Sequence, residues 1–329
     1  MRFAVLVAAG LFLLSCSPEK SNNLIIATAT PGGTYYPVGV AIGTLISNKL
    51  QPRITASAIN SAGSGENIQM LANREAHFAI LQGLFGAMAY DGKGPYAGRP
   101  FRDFRSITML WENVEHFVLS KKHATTGNIL DLKNLNGKYS IGKRGSGTEG
   151  SSRAIFSALR IDPETDMVPE YLGYGSSAQA MMDGRIVGAT LPAGPPVAAV
   201  TQVYAQMGGD RVAVLEFTDE QVVSIRGAYP VWDRYVVPPE TYPGQTAPIH
   251  TVAQPNFLAC HADLADDVVY LVTQTIYQNL PFLQNVHKAT TAMALDRAIK
   301  GLSVPLHSGA AKFYREQGLE IPPPLVGRP

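Results

Sequence analysis

The chain has 329 residues, a formal net charge of +1 at pH 7, 46% hydrophobic residues and 16% charged residues. This length is enough for two hydrophobic cores, because single cores usually stop growing near about 250–300 residues. Lys and Arg form no basic stripe, which argues against binding to nucleic acid, and the composition is that of an ordinary globular protein.

The first residues have the pattern of an export signal. An apolar stretch over 3–14 follows Arg2, and it is well short of the roughly 20 residues that span a membrane. The motif Leu13-Leu14-Ser15-Cys16 is similar to the lipobox of bacterial lipoproteins, which implies that Cys16 is acylated. A simple cleaved signal peptide is the alternative. We predict a signal peptide over 1–15, a lipidated tether over 16–23 and no other contact with the membrane.

From residue 24 onward, apolar β-type runs alternate with amphipathic helical patterns. Such alternation is typical of βαβ units around mostly parallel sheets. The first series has predicted strands at 24–28, 54–59 and 78–81, and helices follow the first two of them. A long apolar segment from Ile107 to Leu119 is then predicted as one strand that crosses out of this first lobe.

A second series begins near residue 132 and has predicted strands at 139–141 and 186–191. Ser176 to Gln179 form a Ser-x-x-Gln capping box that predicts a helix start, and Pro195-Pro196 predict another helix start with proline at its first position. The run 251–260 is predicted as a return crossing, and helices near 266–279 and 310–317 complete the first lobe. The sequence thus predicts an α/β fold with two lobes: lobe 1 over 24–112 and 256–329, and lobe 2 over 113–255.

Loops rich in Gly, Ser and Thr follow several predicted strands, at the sheet edge where ligands bind in open α/β folds. The first N–H groups of a helix are unpaired and its dipole adds about half a positive charge, so an anion can be held there without Lys or Arg. A plain turn or N-cap is the alternative for each loop, but several helix starts facing one crevice favour a site. The candidate ligand-binding residues are Gly33, Thr34, Tyr35, Ser64, Gln82, Gly145, Ser146, Gly147, Thr148, Ala193 and Gly194.

Patterns for catalysis or cofactor binding are weak or missing. Residues 145–150 spell Gly-x-Gly-x-x-Gly, as in dinucleotide sites, but the motif begins mid-chain and an exported protein rarely meets NAD. No Gly-x-Ser-x-Gly motif occurs, and the seven histidines have no metal-binding spacing. With Cys16 set aside, Cys260 is a lone thiol that forms no internal disulfide. We expect no enzyme activity, no cofactor and no metal.

As an ordered set, the motifs resemble the TAXI family, the TRAP-transporter-associated extracytoplasmic solute-binding proteins. The resemblance covers nearly all of the chain after the signal segment. The matching segments are 32–39 (Gly-Gly-Thr-Tyr-Tyr-Pro-Val-Gly), 63–64 with 66–68, 71–72, 79–82 (Ala-Ile-Leu-Gln), 145–148, 193–195, 242–245 and 305–310.

The resemblance implies a type II periplasmic-binding-protein fold, in which a two-strand hinge joins the lobes and ligand is trapped on closure. It also implies a periplasmic location, a TRAP membrane permease as partner, and a small anionic ligand such as glutamate, glutamine or 2-oxoglutarate. Family ligand contacts carry over to Tyr35, Ser64, Gln82, the 145–148 loop and the 193–194 turn.

Three positions depart from the family pattern. Ser61-Ala62 stands where Thr-Gly is more usual, and Pro196 replaces a small or polar residue. We expect a monomer. The alternatives are an exported sensor-input protein or a small-acid enzyme on the same fold.

Overall fold

The computed structural model describes residues 22–326. The predicted signal peptide and Cys16 lie outside the described residues. Within residues 22–326, every helix is too short or too polar to cross a membrane.

The described residues form eleven strands and eleven α-helices. The strands are β1 (Asn22–Ala27), β2 (Ile54–Ile59), β3 (Phe78–Gln82), β4 (Phe104–Val114), β5 (Phe117–Ser120), β6 (Lys138–Ser140), β7 (Val168–Glu170), β8 (Gly188–Thr190), β9 (Val212–Val214), β10 (Asp233–Val237) and β11 (Ile249–His261). The helices are α1 (Tyr35–Leu50), α2 (Ser64–Ala72), α3 (Gly83–Asp91), α4 (Gly147–Leu159), α5 (Pro163–Asp166), α6 (Tyr174–Met182), α7 (Ala198–Met207), α8 (Asp219–Ala228), α9 (Asp266–Gln278), α10 (Leu280–Val286) and α11 (Ser308–Glu316).

Two separate sheets organise the molecule. The first has the order β10-β11-β3-β1-β2 with β4 paired to β11, and the second has the order β7-β6-β8-β5-β9. We call the first sheet with α1–α3 and α9–α11 lobe 1, and the second sheet with α4–α8 lobe 2. The predicted boundaries 112/113 and 255/256 fall inside β4 and β11, where Glu112 pairs with Pro255. The division at these residues stays a prediction.

Both sheets are more mixed than the sequence predicted. The strands of the βαβ units are parallel, as in β1–β2, β1–β3, β6–β7 and β6–β8. The strands that connect the lobes pair antiparallel to their neighbours: β4 and β11 in lobe 1, and β5 in lobe 2. The strands that enter a lobe at the cleft, β11 and β5, run against the βαβ strands, whereas β4 leaves lobe 1 in the same direction as β3.

The predicted single strand from Ile107 to Leu119 is two strands, β4 and β5, separated by Glu115 and His116. The Glu115 N–H donates to Val252 of β11 at 2.9 Å, whereas the His116 carbonyl accepts from Leu191 of lobe 2, also at 2.9 Å. The chain therefore changes hydrogen-bonding partner between these two residues, and this change breaks the strand.

Two predicted helix starts were wrong. Helix α6 begins at Tyr174 after Gly173, so that Ser176 lies inside the first turn and makes no capping box. Helix α7 begins at Ala198, beyond Pro195 and Pro196. A residue that precedes proline is disfavoured in the α conformation, which keeps this stretch outside the helix. Helix α4 begins at Gly147, within the predicted loop 145–148, and the Ser146 side chain accepts from the N–H of Glu149.

The apolar core has three parts. One cluster packs lobe 1 around β1, α1 and α9, and another packs lobe 2 around β8 and α7. The third joins the lobes, because Leu84 and Phe85 of α3 belong to the same cluster as Ile155 and Phe156 of α4. Cys260 of β11 is fully buried in the lobe 1 cluster, and its thiol is free.

Candidate ligand-binding site

A pocket lies between the two lobes, where the carboxyl ends of the βαβ strands face each other. Its empty volume, including the mouth, is about 370 Å³. The lining comes from the segments after β1, β2, β3, β6, β7 and β8 and from the end of β4. The lining residues are Ala29, Thr30, Gly33, Thr34, Tyr35, Ala62, Gly63, Ser64, Gln82, Asn113, Gly147, Thr148, Tyr174, Pro192 and Ala193.

Most of the predicted site residues lie at this pocket. Those that line it are Gly33, Thr34, Tyr35, Ser64, Gln82, Gly147, Thr148 and Ala193. The other three are next to it but outside the lining. Gly145 and Ser146 line a separate surface groove, and Gly194 lies behind the wall, where its carbonyl accepts from the Thr34 hydroxyl at 3.0 Å.

Five helices begin at the pocket: α1, α2 and α3 from lobe 1, and α4 and α6 from lobe 2. Among the described residues, the N-cap residues of α1, α2, α3 and α6 make no side-chain capping hydrogen bond, although in α3 the Leu84 N–H donates to Gln254 Oε1 at 2.8 Å. In α4 the Ser146 cap serves only the third N–H, that of Glu149. The amides of the first turns, including those of Ser64 and Gly147, therefore remain available to a bound molecule.

Two tyrosine hydroxyls at the pocket, one from each lobe, donate to acceptors of the protein. The Tyr174 hydroxyl donates to the Pro192 carbonyl and lies 3.1 Å from the Thr148 Oγ1. The Tyr35 hydroxyl donates to Asn256 Oδ1. Burial raises the pKa of both tyrosines well above the usual value near 10, so both phenols remain neutral donors at physiological pH.

Two buried amide atoms at the pocket have no partner among the described residues: Gln82 Oε1 and Asn113 Nδ2. Their side chains are 3% and 1% exposed. Unpaired buried polar groups cost free energy, so both atoms are suited to bind polar atoms of a ligand. Ser64 Oγ fixes the end of β3 beside them, because it accepts from the N–H of Gln82 at 3.0 Å.

The pocket lining carries no formally charged side chain. Helix N-termini converge on the pocket instead, and their dipoles favour an anion of modest size. The lining residues include no nucleophile paired with a general base.

Glycines at the mouth allow the lobes to touch. A Cβ added to Gly33 would lie 3.0 Å from the ring of Tyr174, and one added to Gly63 would lie 3.6 Å from the N of Gly147. Gly65 of α2 approaches the carbonyl of Gly145, and Gly150 of α4 approaches the ring of Phe85. These contacts join the two lobes, so the structure represents a closed arrangement.

Seven of the fifteen lining residues were not among the predicted site residues, and Tyr174 and Asn113 are two of them. Tyr174 follows β7 at another glycine-flanked helix start, and the misplaced start of α6 concealed it. Asn113 belongs to a strand instead of a loop, and it faces the pocket only because β4 leaves lobe 1 there.

A family model described as the NMT1-like family matches residues 26–318, which is most of the chain. The chain belongs to the NMT1-like family. Among solved structures, this NMT1-like protein is similar to MatC from Rhodopseudomonas palustris with bound malate, with 14% identity, 82% of this chain and 89% of that chain covered, and a TM-score of 0.51.

Two further structures are similar to the NMT1-like chain. One is a periplasmic transporter with 17% identity, 91% and 93% coverage and a TM-score of 0.51. The other is a protein from Bordetella bronchiseptica RB50 with 15% identity, 82% and 75% coverage and a TM-score of 0.52. At these identities the likeness concerns the fold, and it confirms the predicted two-lobed α/β fold of periplasmic binding proteins.

Proposed function

We propose that this protein is an extracytoplasmic solute-binding subunit that captures a small anionic metabolite when its two lobes close. The observation that carries the proposal is the interlobe pocket, which has no charged lining residue and at which five helices begin. A carboxylate would accept hydrogen bonds from the free first-turn amides and interact favourably with the helix dipoles.

Binding would proceed in two steps. A carboxylate first meets the starts of α1 and α2 on lobe 1, at Tyr35 and Ser64. Lobe 2 then closes, and the N–H groups of Gly147 and Tyr174 and the hydroxyl of Thr148 supply donors to the remaining oxygens. Expulsion of water strengthens each of these interactions, because the local dielectric falls. The ligand thus shifts a population of open molecules toward the closed arrangement.

The ligand contacts proposed from the sequence are retained. Direct contacts are assigned to Gly33, Thr34, Tyr35, Ser64, Gln82, Gly147, Thr148 and Ala193, and Asn113 and Tyr174 are added. Supporting roles are assigned to Gly145, Ser146 and Gly194, which shape the loops behind the lining.

The resemblance to the TAXI family supports a more specific proposal. The protein would deliver glutamate, glutamine, 2-oxoglutarate or a related dicarboxylate to the membrane subunits of a TRAP secondary transporter. It would act as a monomer without catalysis, held at a membrane in the periplasm through acylated Cys16. The match of residues 26–318 to the NMT1-like family supports the wider class of solute-binding proteins. It does not specify the ligand, the type of transporter or the lipid anchor.

Mass spectrometry of small molecules released by denaturing the purified protein tests the proposal. We expect a carboxylate in stoichiometric amount. A melting-temperature screen of dicarboxylates and amino acids should show stabilisation by the same compound, because a ligand that binds only the folded state raises stability. Recovery of that compound unchanged after incubation supports a binding protein, whereas turnover, or release of a cation or a neutral apolar molecule, contradicts the proposal.

A further inference from the structure

Glu115 lies in the two-residue crossing between β4 and β5, behind the pocket. Its side chain is 0% exposed. Its backbone is fixed on both sides, since its N–H donates to the Val252 carbonyl at 2.9 Å and its carbonyl accepts from Thr251 Oγ1 at 2.7 Å. The carboxyl group is therefore held inside the hinge region and cannot turn to solvent in this arrangement.

The surroundings of this carboxyl contain donors but no cation. Oε2 lies 3.5 Å from the Ser151 hydroxyl of α4, and Oε1 has no partner among the described residues. The side chains of Gln254 and Trp232 also face the carboxyl, and with Ser151 they oppose the effect of burial on its pKa. Neither Trp232 Nε1 nor Gln254 Nε2, however, reaches a partner at hydrogen-bond distance among the described residues. The adjacent His116 is neutral, because burial lowers its pKa to about 4.

The other titratable groups that face Glu115 are phenols: Tyr35 of α1, Tyr139 of β6 and Tyr174 of α6. A buried carboxylate without a counter-ion is unfavourable, so burial raises the pKa of Glu115 to about 8. Tyr35 and Tyr174 also line the pocket. A negative charge on Glu115 would therefore interact electrostatically with a ligand bound in the pocket.

We propose that Glu115 takes up a proton when the pocket binds its anion and the lobes close, so that pH helps to set ligand affinity. This inference rests on the proposed function. An ionised Glu115 would repel an anion across the pocket wall, whereas the neutral acid does not.

Closure of the lobes raises the pKa of Glu115, and the negative charge of the ligand raises it as well. The segments packed around Glu115 come from both lobes: Ser151 belongs to α4, and Gln254 accepts from the N–H of Leu84 of α3 at 2.8 Å. When the lobes part, α3 and α4 separate and water reaches the carboxyl, which lowers its pKa.

The pKa of Glu115 is thus higher in the closed, liganded state than in the open state. Affinity is greatest below the open-state pKa and falls as the pH rises toward about 8. The dissociation constant changes by at most about tenfold per pH unit, as for one linked proton.

Isothermal titration calorimetry with 2-oxoglutarate at pH 6, 7 and 8, in buffers of different ionisation enthalpy, measures proton uptake directly. The two carboxyl groups of this probe are ionised throughout the range, so it takes up no proton of its own. We expect net uptake of up to one proton at pH 7 and an increase in dissociation constant of about tenfold or more from pH 6 to 8. Binding without proton uptake overturns the inference and leaves the proposed function standing.

The variant Glu115→Gln keeps the shape of the side chain but cannot titrate. It should show no proton uptake and a nearly constant dissociation constant from pH 6 to 8. Glu320→Gln, at an exposed position remote from the pocket, is the control and should behave like the wild type.

A second measurement is independent of any ligand. Because the folded-state pKa of Glu115 is raised, wild-type stability relative to Glu115→Gln should be greatest below pH about 4.5 and should fall as the pH rises to about 8. Parallel stability profiles of the two proteins would overturn the inference even if no tested carboxylate bound. Failure of 2-oxoglutarate, glutamate and glutamine to bind would instead count against the proposed function.

Discussion

Thr148 illustrates how one hydroxyl group can matter in a pocket without charged side chains. The only proton of the Tyr174 hydroxyl is donated to the Pro192 carbonyl. Thr148 Oγ1 lies 3.1 Å from the Tyr174 hydroxyl oxygen. The threonine must therefore donate its proton to this oxygen or direct it into the pocket. Its hydroxyl is one of few groups at the start of α4 that can reorient toward a ligand.

Replacing Thr148 by Val removes this hydroxyl and keeps the side-chain volume. We expect ligand binding to weaken by about 1–3 kcal/mol, because a buried polar atom of the ligand then lacks its partner. Calorimetric titration measures the change. Thr246→Val, at an exposed position away from the pocket, should leave the affinity unchanged, and equal affinity of both variants would contradict a role for Thr148.

At the scale of elements, Asn67 fixes the start of α2 against the sheet of lobe 1. Its Nδ2 donates to the carbonyl of Thr28 after β1 at 2.7 Å and to the carbonyl of Ile80 in β3 at 2.9 Å. Its Oδ1 accepts from the Ser61 hydroxyl at 2.6 Å. This single amide joins three segments of the pocket wall and keeps the Gly63-Ser64 turn in place.

The variant Asn67→Leu should lower the free energy of unfolding by about 2–4 kcal/mol, because three buried hydrogen bonds are lost, although the Ser61 hydroxyl can still donate to the Thr28 carbonyl. Urea unfolding followed by circular dichroism measures the loss. Gln69→Leu is a matched control on the exposed face of the same helix, and we expect a change within about 0.5 kcal/mol. Similar losses in the two variants would show that the Asn67 hydrogen bonds contribute little.

Local sequence patterns predicted those elements whose limits depend on local chemistry. Strand β2 has the predicted bounds, and α4 begins within the predicted loop 145–148. The crossing strand was predicted too long, because its break at Glu115 depends on a change of hydrogen-bonding partner to Leu191 of the other lobe. No periodicity within residues 107–119 encodes that change.

The same contrast holds for the pocket. Glycine and hydroxyl residues at strand ends, such as Ser64 and Thr148, could be predicted because the topology of α/β sheets brings those ends together. Asn113 and Glu115 could not, since their positions depend on how β4 and β11 connect the lobes. The residues set by the hinge are therefore the ones that sequence reasoning overlooked.

At the scale of the whole molecule, closure depends on a close approach between α2 and the loop before α4. Gly65, in the first turn of α2, lies against the carbonyl of Gly145 in the other lobe, and no Cβ would fit between them. Alanine is otherwise tolerated in a helix and is favoured over glycine by roughly 0.5–1 kcal/mol. Only the closed arrangement requires glycine at this position.

Gly65→Ala should therefore weaken ligand binding by about tenfold or more, an effect of at least about 1.4 kcal/mol, while stability without ligand stays equal or rises slightly. Calorimetry gives the affinity, and small-angle scattering should show a smaller ligand-induced compaction than in the wild type. Gly227→Ala in α8, where a Cβ meets open space, is the control. Wild-type affinity in Gly65→Ala would mean that the lobes close differently when ligand is bound.

The fully enclosed thiol of Cys260 makes the protein convenient for spectroscopy. Burial raises its pKa, so little thiolate is available and maleimide reagents should leave it unmodified in the native state. Residues 22–326 contain no second cysteine. A pair of cysteines introduced at exposed Asp91 of lobe 1 and Lys143 of lobe 2 could then carry a donor and an acceptor dye without background labelling. Energy transfer between the dyes would report the opening and closing of individual molecules.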